Sequence, residues 1–185
     1  TEFDTPEILN NTEVIKKISI DEKIGFWKNV MAYGKSRNID FYVITWNVFV
    51  NGTAGKYGIT DDLDNETTRD YFRQSVKQMF LTYPDLAGVG LTTGENMHDA
   101  GFEEKEDWAF DTYGKGVLDA AEELPGRTLR LIHRQHQTGA KAVMQKFQPL
   151  RDKKNVDFVF SFKYAKAHVF SSVNQTYHEQ FVRDI

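Results

Sequence analysis

Residues 83–96, Tyr-Pro-Asp-Leu-Ala-Gly-Val-Gly-Leu-Thr-Thr-Gly-Glu-Asn, join a turn, a short apolar run and a polar end. The apolar run, residues 87–91, predicts a buried strand, and its two glycines permit close approach of a neighbouring backbone. Polar residues follow the run directly, at positions 92–96. In parallel α/β folds, binding and catalytic groups collect at such carboxyl ends of strands. The stretch therefore predicts both a strand of the sheet and the place of a functional site.

The rest of the chain alternates between helical and strand patterns. Apolar residues recur at helical spacing in the segments 21–37, 65–82, 103–123 and 138–152. Strand-like runs lie between these segments at 41–50 and 128–132, and a further one follows the last segment at 156–162. We expect a strand extension at 168–170 and a short helix at 177–183. Because strands that alternate with helices form βαβ units, the pattern predicts an α/β fold with a parallel sheet.

Chain length limits how much of a known architecture these repeats can form. A complete (β/α)8 barrel needs roughly 250 residues, whereas this chain has 185. No glycine-rich phosphate-binding fingerprint follows a predicted strand, which disfavours a dinucleotide-binding fold. We therefore expect residues 1–185 to form a single α/β domain of parallel βα repeats. We expect that domain to be a partial TIM-type (β/α)8 barrel, a fragment of a larger barrel; the alternative is a small open α/β domain.

The composition excludes several classes of function. A net charge of -4 argues against nucleic acid as a partner. No apolar run is long enough to cross a bilayer, so we expect no membrane partner. The chain has no cysteine, which excludes disulfides and thiolate catalysis. Aromatic residues make up 14% of the chain, which indicates either a bulky core or a cleft lined with rings.

Polar and titratable residues follow all four predicted strands. Parallel strands end at the same edge of a sheet, so we expect these residues to lie together. The candidate residues at this edge are Trp46, Asn47, Glu95, Asn96, His98, His133, Arg134, His136, Lys163, Tyr164 and His168.

Three of these residues have a definite chemical role in the prediction. Burial of Glu95 against aromatic rings would raise its pKa and make it a general acid. Trp46 is suited to stacking on a sugar ring, and Arg134 to a two-pronged grip on a carboxylate. Two of the three also have a structural alternative, since Glu95 could cap a helix or form a salt bridge, and Trp46 could belong to the core.

The segments 41–47, 83–96, 131–134 and 160–164 together resemble the middle of a glycoside hydrolase barrel. The resemblance is greatest to α-glucuronidase-like enzymes and spans roughly residues 20–170. It implies that Glu95, after what would be the fourth barrel strand, protonates the leaving oxygen. It also implies that Trp46, Asn47, Arg134 and Lys163 line the sugar subsite. Glycoside hydrolysis normally uses a second carboxylate, and the strands that end near residues 133 and 163 do not offer one.

Three functions from different classes follow from these residues. The first is a glycoside hydrolase that acts on a polysaccharide or on an oligosaccharide containing uronic acid. The second is a metal-dependent α/β-barrel enzyme that uses His133 and His136. The third is a non-catalytic carbohydrate-binding α/β domain. For the first, we expect a carbohydrate substrate, no cofactor, the remainder of a larger chain as a partner, and a periplasmic or extracellular location.

Overall fold

The computed structural model describes residues 17–46, 48, 50, 55–94, 97, 99–135, 139–162 and 173–185. Four strands and seven α-helices occur within this described part of the chain. In chain order they are α1 (Ile20–Lys35), β1 (Phe41–Trp46), α2 (Glu66–Thr82), β2 (Leu86–Thr92), α3 (Phe102–Ala109), α4 (Lys115–Glu123), β3 (Leu129–Arg134), α5 (Ala140–Lys146), α6 (Gln148–Asp152), β4 (Val156–Ser161) and α7 (Thr176–Asp184). A 3₁₀ turn (Lys56–Gly58) lies before α2, and a π-helical segment (Phe110–Gly114) joins α3 to α4.

The four strands form one sheet in the order β1-β2-β3-β4, and every neighbouring pair is parallel. This arrangement confirms the predicted α/β fold with a parallel sheet. Strand order that follows chain order is what successive βα repeats produce when each crossover has the same hand. The sheet is open in the described part of the chain, where β1 and β4 each pair with one strand. The architecture is consistent with a partial βα-repeat fold.

The two faces of the sheet differ in what covers them. The helix-facing side chains include Thr45, whose hydroxyl lies 2.6 Å from that of Tyr113, and Phe160, whose ring packs on Phe181 of α7. The opposite face carries Ile44 and Trp46, whose side chains are 54% and 51% exposed. We call this second face the open face. By strand register it comprises Tyr42, Ile44, Trp46, Gly88, Gly90, Thr92, Arg130, Ile132, Arg134, Asp157, Val159 and Ser161.

The core lies between the sheet and the helices. Its largest fully buried side chains are Trp108, Phe80, Phe147 and Leu86. Trp108 packs edge-on against Phe72, at 5.2 Å between ring centres. Much of the high aromatic content therefore builds the core, as one of the two interpretations of the composition predicts. Burial of such rings is a large favourable term in folding.

Helix and strand types agree with the sequence pattern, while several boundaries differ. The first strand ends at Trp46 rather than at residue 50. The predicted helix at 138–152 is divided at Phe147 into α5 and α6, with Pro149 in the first turn of α6. A proline there lacks the N–H that an uninterrupted helix needs. The short helix expected at 177–183 is present as α7, and residues 168–170 lie outside the described part.

None of the described helices is both long enough and apolar enough to cross a membrane.

Candidate functional site

One row of residues crosses the open face at the carboxyl end of the sheet. Register pairs Trp46 of β1 with Thr92 of β2, Thr92 with Arg134 of β3, and Arg134 with Ser161 of β4. We call these four residues the edge row. All four project from the same face, because neighbouring strands are paired in register. The edge row therefore crosses the whole sheet at its carboxyl end, with Thr92 buried at 2% exposure between Trp46 and Arg134.

Trp46 and Arg134 contact each other across the small side chain of Thr92. The guanidinium carbon of Arg134 lies 6.0 Å from the centre of the Trp46 ring. Arg134 is half-buried, while Trp46 is 51% exposed. An exposed indole ring can stack on the apolar face of a sugar, and a guanidinium can donate two hydrogen bonds to a carboxylate. The pair thus places an aromatic ring beside a cation at the carboxyl end of the sheet.

His133 lies on the opposite face of the sheet from this pair. Its side chain is fully buried, and its Nε2 atom is 2.7 Å from Glu106 Oε2 of α3. The rings of Phe147 and Phe160 pack edge-on against the imidazole. Successive residues of a strand point to opposite faces, so Arg134 reaches the open face while His133 enters the helix layer.

The metal hypothesis depends on His133 and His136. His136 lies outside the described residues, and His133 Nε2 contacts the Glu106 carboxylate. Within the described part of the chain, no group of three or more His, Cys, Asp or Glu side chains could hold a metal ion. The described geometry around His133 therefore gives the metal hypothesis no support.

Glu106 is a buried charged residue that the sequence pattern did not single out. Its Oε1 atom accepts a hydrogen bond of 3.1 Å from the Thr93 hydroxyl. The neighbouring Lys105 donates from Nζ to the carbonyl oxygen of Gly94 at 3.4 Å. One signal was available: Glu106 lies three and seven residues before Ala109 and Tyr113, on the apolar stripe of the helix. Together these contacts attach α3 to the residues that follow β2.

A second polar cluster lies deeper on the open face, toward the amino ends of the strands. Arg130 donates from Nη1 to the Tyr42 hydroxyl and from Nε to the Asp157 carboxylate, both at 2.6 Å. The hydrogen bond to Asp157 raises the pKa of Arg130. Asp157 precedes Ser161 by four residues, which is roughly 13 Å along a strand. Its carboxylate is thus paired and remote from the edge row.

The remaining predicted site residues lie outside the described part of the chain. They are Asn47, Glu95, Asn96, His98, His136, Lys163, Tyr164 and His168. The described structure includes three of the predicted residues, and it brings Trp46 and Arg134 together while placing His133 behind the sheet.

Comparisons with known proteins identify one informative structural relative. No protein-family model matches this chain, and no curated protein matches it. A solved structure described as a GH138 enzyme targeting pectin rhamnogalacturonan II matches with a TM-score of 0.64 and 25% sequence identity. The alignment covers 80% of this chain and 17% of that chain. The fold is glycoside hydrolase-like.

This likeness agrees with the broader part of the resemblance inferred from the sequence, that to a glycoside hydrolase. The narrower resemblance, to α-glucuronidase-like enzymes, stays a prediction. The chain spans less than a fifth of the length of its structural relative, at 17%.

Proposed function

We propose that the protein is a glycoside hydrolase that acts on a polysaccharide or on an oligosaccharide containing uronic acid. In this proposal the edge row binds the sugar, and Glu95 donates a proton to the leaving oxygen. The observation that carries the proposal is the contact between Trp46 and Arg134 at the carboxyl end of a parallel sheet. The fold similarity to a glycoside hydrolase supports the same function.

In the binding step, the indole ring of Trp46 and the guanidinium of Arg134 contact the sugar. Trp46 offers an exposed apolar ring, against which the C–H face of a pyranose can pack. Arg134, held close to that ring, offers two parallel N–H donors for a uronate carboxylate. An acidic sugar therefore gains from both side chains, whereas a neutral sugar gains mainly from Trp46.

The chemical step assigns the proton transfer to Glu95. The glycosidic C–O bond breaks as its oxygen accepts the Glu95 proton, and positive charge develops on the anomeric carbon. Glu95 follows Thr92, a member of the edge row, by three residues. A second carboxylate must deliver water or attack the anomeric carbon itself. Among the described residues, the edge row holds no carboxylate, so we assign that role to no residue.

The substrate class follows from Arg134 and from the structural relative. That relative is described as targeting pectin rhamnogalacturonan II. We propose oligosaccharides from this pectin as substrates, with a uronate residue bound at Arg134. Substrates of this kind are found outside the cytosol, so we propose a periplasmic or extracellular location. Detection of the protein in the cytosolic fraction of its own cells would contradict that location.

Hydrolysis by the full-length protein tests the proposal, with Glu95→Gln as the decisive variant. Gln keeps the shape of the side chain but has no carboxyl proton to donate, so we expect kcat to fall by roughly 100-fold or more. Binding of the oligosaccharide should stay within about twofold, because the contacts of the edge row are retained. Glu103→Gln is the matched control, since Glu103 is an exposed glutamate in the first turn of α3. Unchanged hydrolysis in the Glu95→Gln variant would contradict the proposal.

A further inference from the structure

Helix α3 buries two consecutive charged side chains directly behind the carboxyl end of β2. Lys105 is 7% exposed and Glu106 is 1% exposed. Removing an ion from water costs several kcal/mol unless partners compensate for the lost hydration. The first turn of the helix carries two further acidic residues, Glu103 and Glu104, and both are exposed to water. Burial is therefore specific to Lys105 and Glu106 and is not a property of every charged residue on this helix. The partners of the two buried charges therefore indicate what their burial achieves.

Both buried charges bind the two residues that immediately precede Glu95. The Thr93 hydroxyl donates to Glu106 Oε1 at 3.1 Å, and Thr93 itself is fully buried. Lys105 Nζ donates to the carbonyl oxygen of Gly94 at 3.4 Å. Helix α3 thus contacts the chain at the last two positions before the proposed general acid.

Glu106 also binds the end of the neighbouring strand. Its Oε2 atom is 2.7 Å from His133 Nε2, and an ionised carboxylate only accepts, so Nε2 is then the donor. His133 Nδ1 has no hydrogen-bond partner among the described residues. An imidazole protonated at Nε2 alone has no N–H at Nδ1, so this tautomer leaves no unpaired donor there. One carboxylate therefore ties the end of β2 to the end of β3.

The backbone at Gly94, directly after Thr93, is also held. Gly94 has a φ of 108°, in the left-handed region that favours glycine. Its N–H donates to the sulfur of Met97 at 3.4 Å, and Met97 is fully buried. The chain is therefore anchored at Gly94, just before residues 95 and 96, and again at Met97, just after them.

We infer that Glu106 is a positioning residue for Glu95, acting through Thr93 and supported by His133 and Lys105. The inference rests on the proposed function. Glu106 lies behind the sheet and is 1% exposed, so it acts without touching the sugar on the open face. Proton transfer requires the acid within hydrogen-bond distance of the leaving oxygen, and a displacement of about 1 Å can lower a rate by roughly 100-fold.

The test compares two leaving groups in the Glu106→Gln variant of the full-length protein. A sugar leaving group needs protonation, so its kcat should fall by roughly 10- to 100-fold, with KM within about twofold. A nitrophenyl leaving group needs little protonation, so its kcat should fall by less than about threefold. Val117→Ala is the matched control because Val117 is a fully buried residue of the next helix, α4. Per folded molecule, it should lower neither rate.

The milder variant Thr93→Val tests the same contact and leaves the Glu106 side chain unchanged. Thr93→Val removes only the hydroxyl that Glu106 accepts from, and it should show the same selective loss at smaller magnitude if Glu106→Gln does not fold. The positioning role would be overturned if Glu106→Gln lowered both rates equally or lowered neither. If Glu106→Gln does not fold, the same two outcomes in Thr93→Val would overturn it. If Glu95→Gln itself hydrolyses the natural glycoside normally, the proposed function fails instead.

Discussion

The guanidinium of Arg134 lies over the indole ring of Trp46, with 6.0 Å between the guanidinium carbon and the ring centre. The two residues come from β1 and β3, and only the small Thr92 of β2 stands between them in the register. A larger side chain at position 92 would separate the cation from the ring. An exposed contact of this kind contributes about 0.5–1 kcal/mol, so its main effect is to orient the guanidinium beside the indole ring.

Arg134→Ala should weaken the binding of acidic sugars far more than that of neutral sugars. Loss of a two-pronged hydrogen bond to a carboxylate costs about 1.5–3 kcal/mol, or roughly 10- to 150-fold in Kd. Titration calorimetry with a uronic acid oligosaccharide and its neutral counterpart measures the difference. Arg37→Ala is the control. The Arg37 guanidinium lies over the Tyr33 ring, at 4.5 Å from the ring centre, and Arg37 belongs to the segment between α1 and β1, not to the edge row. Equal losses for both sugars would remove the acidic-substrate proposal.

Trp46→Ala should weaken acidic and neutral sugars by a similar factor. The ring contributes apolar contact that does not depend on charge, worth about 1–2 kcal/mol for a half-exposed indole. Tryptophan fluorescence offers a direct measurement, since sugar binding should change the emission of Trp46. The change in emission on sugar binding should persist in Trp27→Phe, because Trp27 is a residue of α1, 39% exposed, and does not belong to the edge row. Persistence in Trp46→Phe would show that the sugar binds elsewhere.

Ionisation of the Tyr113 hydroxyl should lower the free energy of unfolding in strong base. Burial raises the pKa of Tyr113 to about 12, although the hydrogen bond with Thr45 acts in the opposite direction. An unfolded tyrosine titrates near ~10. Because the folded pKa is the higher one, the stabilisation is complete below about pH 10 and is lost as pH rises toward about 12.

Urea unfolding at two pH values measures this contribution. From pH 9 to pH 11.5, the wild type should lose about 2 kcal/mol more than Tyr113→Phe, which has no hydroxyl to ionise. Tyr57→Phe is the control, because the Tyr57 side chain is 80% exposed and stays in contact with water. Identical pH dependence of the wild type and Tyr113→Phe would contradict the prediction.

Two glycines of β2 should differ in their tolerance of alanine. A Cβ at Gly88 would lie 2.6 Å from the backbone oxygen of Arg130, which the β2–β3 pairing holds in place. A Cβ at Gly90 would mainly meet the end of the Ile44 side chain, which is 54% exposed and able to rotate; its nearest backbone atom, the Ile132 oxygen, would be farther away, at 3.3 Å. We expect Gly88→Ala to lower the free energy of unfolding by about 1–3 kcal/mol, and Gly90→Ala by less than about 1 kcal/mol. Denaturant titration decides between this order and its reverse.

The sequence alone was sufficient to predict the types of the main elements and the parallel pairing of the strands. Periodicity is a local property: residues that share one face of a helix or strand must all be apolar if that face is buried. The run at residues 87–91 shows this, since it became the central part of β2. Boundaries were less predictable, as at Phe147, because helix ends depend on contacts from distant segments.

Only the tertiary structure decided which side of the sheet each site residue occupies. His133 and Arg134 are neighbours in the sequence, so their side chains point to opposite faces of the sheet. The helices pack on only one of these faces, and this packing determines that His133, not Arg134, is buried. The apolar stripe indicates that position 106 faces the core, but it does not identify the partners of the buried carboxylate. Those partners, Thr93 and His133, are 13 and 27 residues away in the chain. Periodicity reports which face of an element is apolar, whereas a buried charge is stable only where distant residues meet it with hydrogen bonds.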